Sequence, residues 1–350
     1  MNQQAAIKLP DILVGVGVLL SGLIFSGLAA YAQSPVKPTS FAEQKIIFTS
    51  GITGQRLSIE SATPRSFQEV VTKGQAPKVT LDGQLFLPTG NGPHSVVILA
   101  PGSDGVSSAM LKHAEALTKE GIGAYLFDPF TARGILNTVS DQSQLSMAAS
   151  AYDVLMATKM LSHHPSVDRS RIGAIGYSRG GIAVLMAVSE QMSRPVLGRE
   201  TALKAALVGW PWCGIQFRRA ATTPTALRFL VGDSDNWVSP AQCQAQANAF
   251  QVSNPEVSIR LVKDAGHGFG DGNPEQQIPE AVHALFAPIL YLGEKGEMLD
   301  IHSGEPISDI SISTTKLLMP WLRKGTSAGS KPGQMEDFIS DMTAFFDRKL

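Results

Sequence analysis

"RIGAIGYSRGGIAVLMA", Arg171 to Ala187, changes character at its middle. "RIGAIG" is a short apolar run, as expected of a strand buried on both faces, and "GGIAVLMAVSEQM" after it has the composition of a helix. Between them, Gly176-Tyr177-Ser178-Arg179-Gly180 reads G-x-S-x-G. A serine on a sharp turn after a buried strand is lifted above the sheet edge. The helix that follows aims its unbonded N–H groups at it. A second match, "GTSAG" at Gly325 to Gly329, follows the polar "WLRK" and lies in Gly/Ser/Pro surroundings with no apolar run before it. Ser178 is therefore the nucleophile candidate, and Ser327 reads as a loop serine.

The same strand–helix alternation extends on both sides. "KVTLDGQLFLP" reads as a strand ending at a turn, and "SVVILA" and "IGAYLF" as buried strands. "SSAMLKHAEALTKEG" has helical spacing and stops at Gly121, and "QSQLSMAASAYDVLMATKMLSHH" reads as one long helix. Further on, "AALVGW", "ALRFLVG" and "VSIRLVK" read as strands, and "PAQCQAQANAFQ" and "GQMEDFISDMTAFFDRK" as helices. Strands alternating with helices imply an α/β fold with a mostly parallel central sheet covered on both faces. Ligands in such sheets bind beyond the carboxyl ends of the strands, so the residues just after each apolar run carry the site.

A serine hydroxyl is a weak nucleophile and needs a base. His267, in "DAGHGFG", follows the strand "VSIRLVK" and lies at that edge. His283 sits in "IPEAVHALFAPIL", which reads as helical, and His302 in a polar loop. The acid has two candidates in "FLVGDSDNWVSP", Asp233 and Asp235. Asp235, three residues past the strand-ending glycine, is preferred because that position on the turn reaches a histidine on the next loop. The amide of Arg179 is one oxyanion donor. The Ser103 amide in "LAPGSDG" is the other, against the reading of a plain glycine turn. Asp128 and Arg133, in "FDPFTARG", follow a buried strand: Arg133 reads as a receptor for a substrate carboxylate or as a local partner of Asp128. Tyr177, Trp210, Trp212 and Trp237 read either as pocket wall or as packing.

In order and spacing, "LAPGSDG", "GYSRGG", "VGDSDNWVSP" and "DAGHGF" resemble the α/β-hydrolase fold. "LDGQLFLPTGNGPHSVVILAPGSDG", "YLFDPFTARG", "WPWCG" and "MTAFFDRKL" make the chain similar to dienelactone hydrolase-like proteins. Two departures stand out. True dienelactone hydrolases use cysteine where this chain has Ser178, and many relatives carry histidine where it has Pro101. The resemblance implies an esterase-like enzyme: Ser178 attacks a carbonyl, His267 carries the proton, Asp235 holds His267, and water releases the acyl group. No metal or organic cofactor is needed. The rivals are a peptidase or acyltransferase with the same triad, or a binding protein on a hydrolase scaffold. Peptidases of this fold usually carry an extra propeller or cap domain, and there is no room here for a propeller. Proteins that have lost catalysis usually lack the serine or histidine that this chain keeps.

The 350 residues carry a net charge of −1, which points away from nucleic acid and anionic membranes, while the resemblance implies a small-molecule ester as partner. Residues 1–32 read as a signal peptide, with an uncharged run from Ile12 and "AYA" before Gln33, or as an uncleaved membrane anchor. Either places the rest outside the cytosol. Residues 33–77 read as a leader with edge strands. Residues 78–350 read as the hydrolase domain, with a lid, edge element or dimer contact at 271–324, where "PEQQIPEAVHALFAPILYL" looks helical. Cys213 and Cys243 read either as a disulfide or as two buried thiols. Neither has the neighbours of a metal ligand.

Overall fold

A computed structural model describes residues 40–307 and 314–350, all within one compact unit; the segment read as a signal peptide or anchor lies outside them. The chain opens with strands β1 (Gln55–Arg56) and β2 (Ile59–Ala62) and helix α1 (Phe67–Val71). Next come β3 (Lys78–Leu81), β4 (Gly83–Phe86), β5 (His94–Ala100), α2 (Ser108–Lys119) and β6 (Gly123–Phe127). Helix α3 (Met147–Leu161), β7 (Val167–Tyr177), α4 (Arg179–Val188) and α5 (Glu190–Leu197) form the middle of the chain. β8 (Ala205–Gly209), β9 (Ile215–Phe217), β10 (Ala226–Gly232), α6 (Pro240–Gln251) and β11 (Val257–Val262) follow. The chain ends with β12 (Gln276–His283), β13 (Leu290–Leu292), α7 (Thr314–Leu318), β14 (Arg323–Ala328) and α8 (Gln334–Lys349).

Eight strands form the central sheet in the order β1-β4-β6-β5-β7-β8-β10-β11. Only the β1–β4 and β4–β6 pairings are antiparallel. The run from β6 to β11 is parallel, as the continuous apolar strands require. On β5, Val96, Ile98 and Ala100 pack with α3 and α4, while Val97 and Leu99 pack with α2 and α8. After β5 the chain goes to β6 on one side, then to β7 on the other. The loops leaving β5 and β7 therefore part at the carboxyl edge and leave a crevice between them.

Four expectations need correction. "PEQQIPEAVHALFAPILYL" is not helical: it gives β12, paired antiparallel with β14, and β13, paired with β9. Pro279 explains the difference. A proline inside a helix loses a hydrogen bond and clashes with the preceding turn, whereas here it lies where the β12 register shifts. "GTSAG" is not a loop either: Gly325 to Ala328 belong to β14. "KVTLDGQLFLP" is two strands, and the helix expected from Gln142 begins at Met147, where the Ser146 hydroxyl accepts from the Ala149 amide. Cys213 and Cys243 form a disulfide that ties the loop after β8 to α6.

Candidate active site

Ser178 joins β7 to α4 with φ +50° and ψ −110°, a strained backbone for a residue with a side chain. The turn is tight because three glycines allow it. A Cβ at Gly176 would stand 2.2 Å from the Gly180 carbonyl oxygen, one at Gly180 2.1 Å from the Ala100 carbonyl oxygen, and one at Gly181 2.5 Å from Pro211 Cβ. Elbow, β5 and the loop after β8 thus meet at backbone contact distance. Ser178 occupies the N-cap position of α4, yet its side chain does not cap the helix, which leaves Oγ free to face elsewhere.

Oγ faces His267. The His267 Nε2 atom lies 3.0 Å from Ser178 Oγ, and its Nδ1 lies 2.9 Å from Asp235 Oδ2. The other Asp235 oxygen accepts from the amides of Trp237 and Val238 at 2.8 and 2.9 Å. Asp235 and His267 are both buried. Hydrogen bonds from the turn fix the carboxylate, and the carboxylate fixes the imidazole tautomer with the proton on Nδ1. With the proton on Nδ1, Nε2 can accept a hydrogen bond from the Ser178 hydroxyl. The Trp237 ring packs at 4.7 Å on the imidazole, and the Gly329 amide donates to the His267 carbonyl at 2.8 Å. Nearby, burial and then the Asp104 carboxylate push the Asp271 carboxyl up to about 7, against the pull of His267.

The loop after β5 lies against the elbow: a Cβ at Gly102 would be 3.5 Å from the Tyr177 carbonyl oxygen and 3.7 Å from Ser178 Cβ. Ser103 follows it and is held on both sides. Its carbonyl accepts from the Thr138 amide at 2.8 Å, and its hydroxyl accepts from Gln142 Nε2 at 2.9 Å. Arg179 is the first residue of α4, so its amide has no intrahelical acceptor. Its buried guanidinium spends all five N–H groups on neutral oxygens of Gln142, Leu145 and Ser150. Burial lowers its pKa to about 9, so it keeps its charge at neutral pH.

A cavity of about 1070 Å³ opens at Ser178, and Ser103, Arg179, Trp212 and Trp237 line it. Four residues left open between a substrate contact and a structural role are placed away from the cavity. Arg133 is buried in an ion pair with Asp153 and donates to Thr63 Oγ1 and the Ala62 carbonyl. Asp128 caps the amides of Phe130 and Thr131. Tyr177, the last residue of β7, points to the α2–α8 face, where its hydroxyl lies 2.8 Å from His113 Nδ1. Trp210 packs on that face against Phe269 and Phe338. Ser327, the rival serine, bonds to Asn236 and Glu275 and ties β14 to the Asp235 turn. Two residues carried no signal in the sequence: Gln142, a polar residue in a polar loop, and Asp153, whose partner is 20 positions away.

The strand order, the elbow between β7 and α4 and the serine–histidine–aspartate chain at the crevice define an α/β-hydrolase fold. The sequence model of the dienelactone hydrolase family matches residues 81–291, more than half of the chain, and the protein belongs to that family. It is similar to the cutinase Est1 of Thermobifida alba, 24% identical over 183 residues, which are 51% of this chain and 55% of that protein. The chain thus spans about half the length of the curated relative it matches. Among solved structures it is similar to a dienelactone hydrolase from Anabaena variabilis, at 16% identity and TM-score 0.47 over 85% of this chain and 99% of that one. It is also similar to Est1E from Butyrivibrio proteoclasticus, at 14% identity and TM-score 0.40 over 54% and 86%.

Proposed function

We propose that the protein is a serine esterase that works through Ser178, His267 and Asp235. The observation that carries the reading is His267 itself, within hydrogen-bond reach of Ser178 Oγ at 3.0 Å and of Asp235 at 2.9 Å. In this reading His267 Nε2 takes the serine proton as Oγ bonds to the ester carbonyl carbon. The carbonyl oxygen becomes an oxyanion facing the amides of Ser103 and Arg179. Collapse breaks the bond to the alcohol, which leaves with the proton from Nε2. Water then repeats the sequence on the acyl-enzyme and frees the acid and Ser178. Membership of the dienelactone hydrolase family supports hydrolysis, and the likeness to a cutinase supports an ester as substrate.

Export is part of the proposal. A disulfide between Cys213 and Cys243 is supported by an oxidising compartment, and an uncharged apolar run precedes Gln33 in the sequence. Among the described residues no helix is long and apolar enough to cross a membrane.

The test is hydrolysis of 4-nitrophenyl acetate by wild type, Ser178→Ala and Ser327→Ala. Activity lost in Ser178→Ala alone supports the reading. Equal activity in wild type and Ser178→Ala overturns it.

A further inference from the structure

The cavity at Ser178 is built from separate parts of the chain. Phe67 comes from α1, Leu145 from the loop before α3, and Trp212 and Trp237 from the loops after β8 and β10. Met298 and Leu318 come from the described parts of the segment at 271–324 and line the cavity too. Its volume, about 1070 Å³, is at the top of the range that encloses a drug-sized ligand.

The charged groups on its wall are already engaged. Arg179 has spent its five donors on neutral oxygens. Asp141 accepts from the amide and hydroxyl of Ser143. Arg65, with its side chain 87% exposed, stands at the rim beside Glu69. Burial and the nearby Arg323 lower the His283 pKa. Arg133, the cation that the sequence offered to a carboxylate, is closed off by Asp153. A carboxylate entering this cavity would exchange water for neutral hydroxyl and amide groups and, at the rim, for an arginine already beside Glu69, whereas each methylene would gain by leaving water.

The cavity also has a direction. Ser103, Ser178 and Arg179 line it, and so does Trp237, whose ring packs at 4.7 Å on His267. The leaving alcohol must sit beside His267 to receive its proton, so it takes the Trp237 side of the carbonyl and leaves the rest of the cavity to the acyl group.

We propose that the substrate is a neutral ester with a long or bulky apolar acyl group, carried in the cavity walled by Phe67, Leu145, Trp212, Met298 and Leu318. This rests on the esterase reading for the direction of the acyl group.

The experiment compares kcat/KM of the wild type for 4-nitrophenyl acetate, 4-nitrophenyl octanoate and the 4-nitrophenyl half-ester of octanedioic acid. The octanoate is expected to exceed the other two at least tenfold. Acetate hydrolysis with no gain for octanoate, or with the half-ester equal to or better than octanoate, overturns the proposal and leaves the esterase reading standing. Hydrolysis of none of the three overturns the esterase reading, and binding then decides this one. Quenching of tryptophan fluorescence by octanamide and by octanedioic acid monoamide is expected to show the neutral amide binding at least tenfold tighter, and equal binding overturns the proposal. Met298→Lys, with Met298→Leu as its control, is expected to move the octanoate to half-ester ratio at least tenfold toward the half-ester. An unchanged ratio in folded Met298→Lys overturns the assignment of that wall.

Discussion

Arg179 grips Gln142 by both its oxygens: the guanidinium donates to the backbone carbonyl at 2.7 Å and to Oε1 at 3.0 and 3.2 Å. Gln142 passes the restraint on, donating from Nε2 to the Ser103 hydroxyl at 2.9 Å. The residue after the proposed nucleophile thereby anchors the loop that carries the proposed second oxyanion donor. Gln142→Ala is expected to lower kcat about tenfold, equivalent to about 1.4 kcal/mol of transition-state stabilisation, with a smaller change in KM. Gln142→Glu keeps the acceptors for Arg179 and can accept from the Ser103 hydroxyl in place of donating to it, so it is expected to recover most of kcat. A fall in melting temperature with kcat unchanged in Gln142→Ala would make the contact merely structural.

Asp235 bonds to two amides through Oδ1 and to His267 through Oδ2. Asp235→Asn can keep the first set but must present an N–H to Nδ1, which forces the wrong imidazole tautomer. Steady-state kinetics should show kcat down by about 10³- to 10⁴-fold with the fold intact by circular dichroism. A loss below tenfold would separate Asp235 from the proton path.

These two predictions draw on different depths of information. The meeting of Ser178, Asp235 and His267 was legible because each follows an apolar run, and in a parallel sheet such runs end at one edge. The elbow glycines were legible for the same reason, as the backbone of β5 passes within reach of Gly180. Tyr177 and Trp210 were open between pocket and packing because the sequence does not say which sheet face a residue at a strand end takes. Arg133 was ambiguous because Asp153 is brought to it by the packing of α3, not by local spacing. Gln142 left no trace, since its partners come from two other loops. The misread segment at 276–283 carried its own warning in Pro279.

His113 is buried between Tyr177 and the Gly270 carbonyl, and burial lowers its pKa to about 4 from 6.5. The unfolded chain takes up a proton near pH 6.5 that the folded protein refuses until about pH 4. Stability is therefore full above the unfolded pKa and falls as the pH drops from 6.5 toward 4, by about 2 kcal/mol at pH 5. Urea unfolding of His113→Gln at pH 7 and pH 5 is expected to show a smaller pH effect than wild type. An equal slope in both would assign the acid sensitivity to other groups.

The Cys213–Cys243 disulfide closes a loop with a sequence separation of 30 inside the packed core. Such a closure stabilises by about 3 to 4 kcal/mol in the chain-entropy model. Thermal unfolding of the Cys213→Ser/Cys243→Ser double variant is expected at a melting temperature lower by about 5–10 °C. No change on removal would mean that the bond adds nothing to the folded state.

The central claim is that Ser178 is an activated nucleophile, and covalent labelling tests it without any assumption about substrate. The protein is treated with a fluorophosphonate probe, digested, and the adduct located by mass spectrometry. The account predicts a single adduct on Ser178, abolished in His267→Ala and unaffected in Ser327→Ala. No adduct on folded wild-type protein, or an adduct on Ser327, would contradict it.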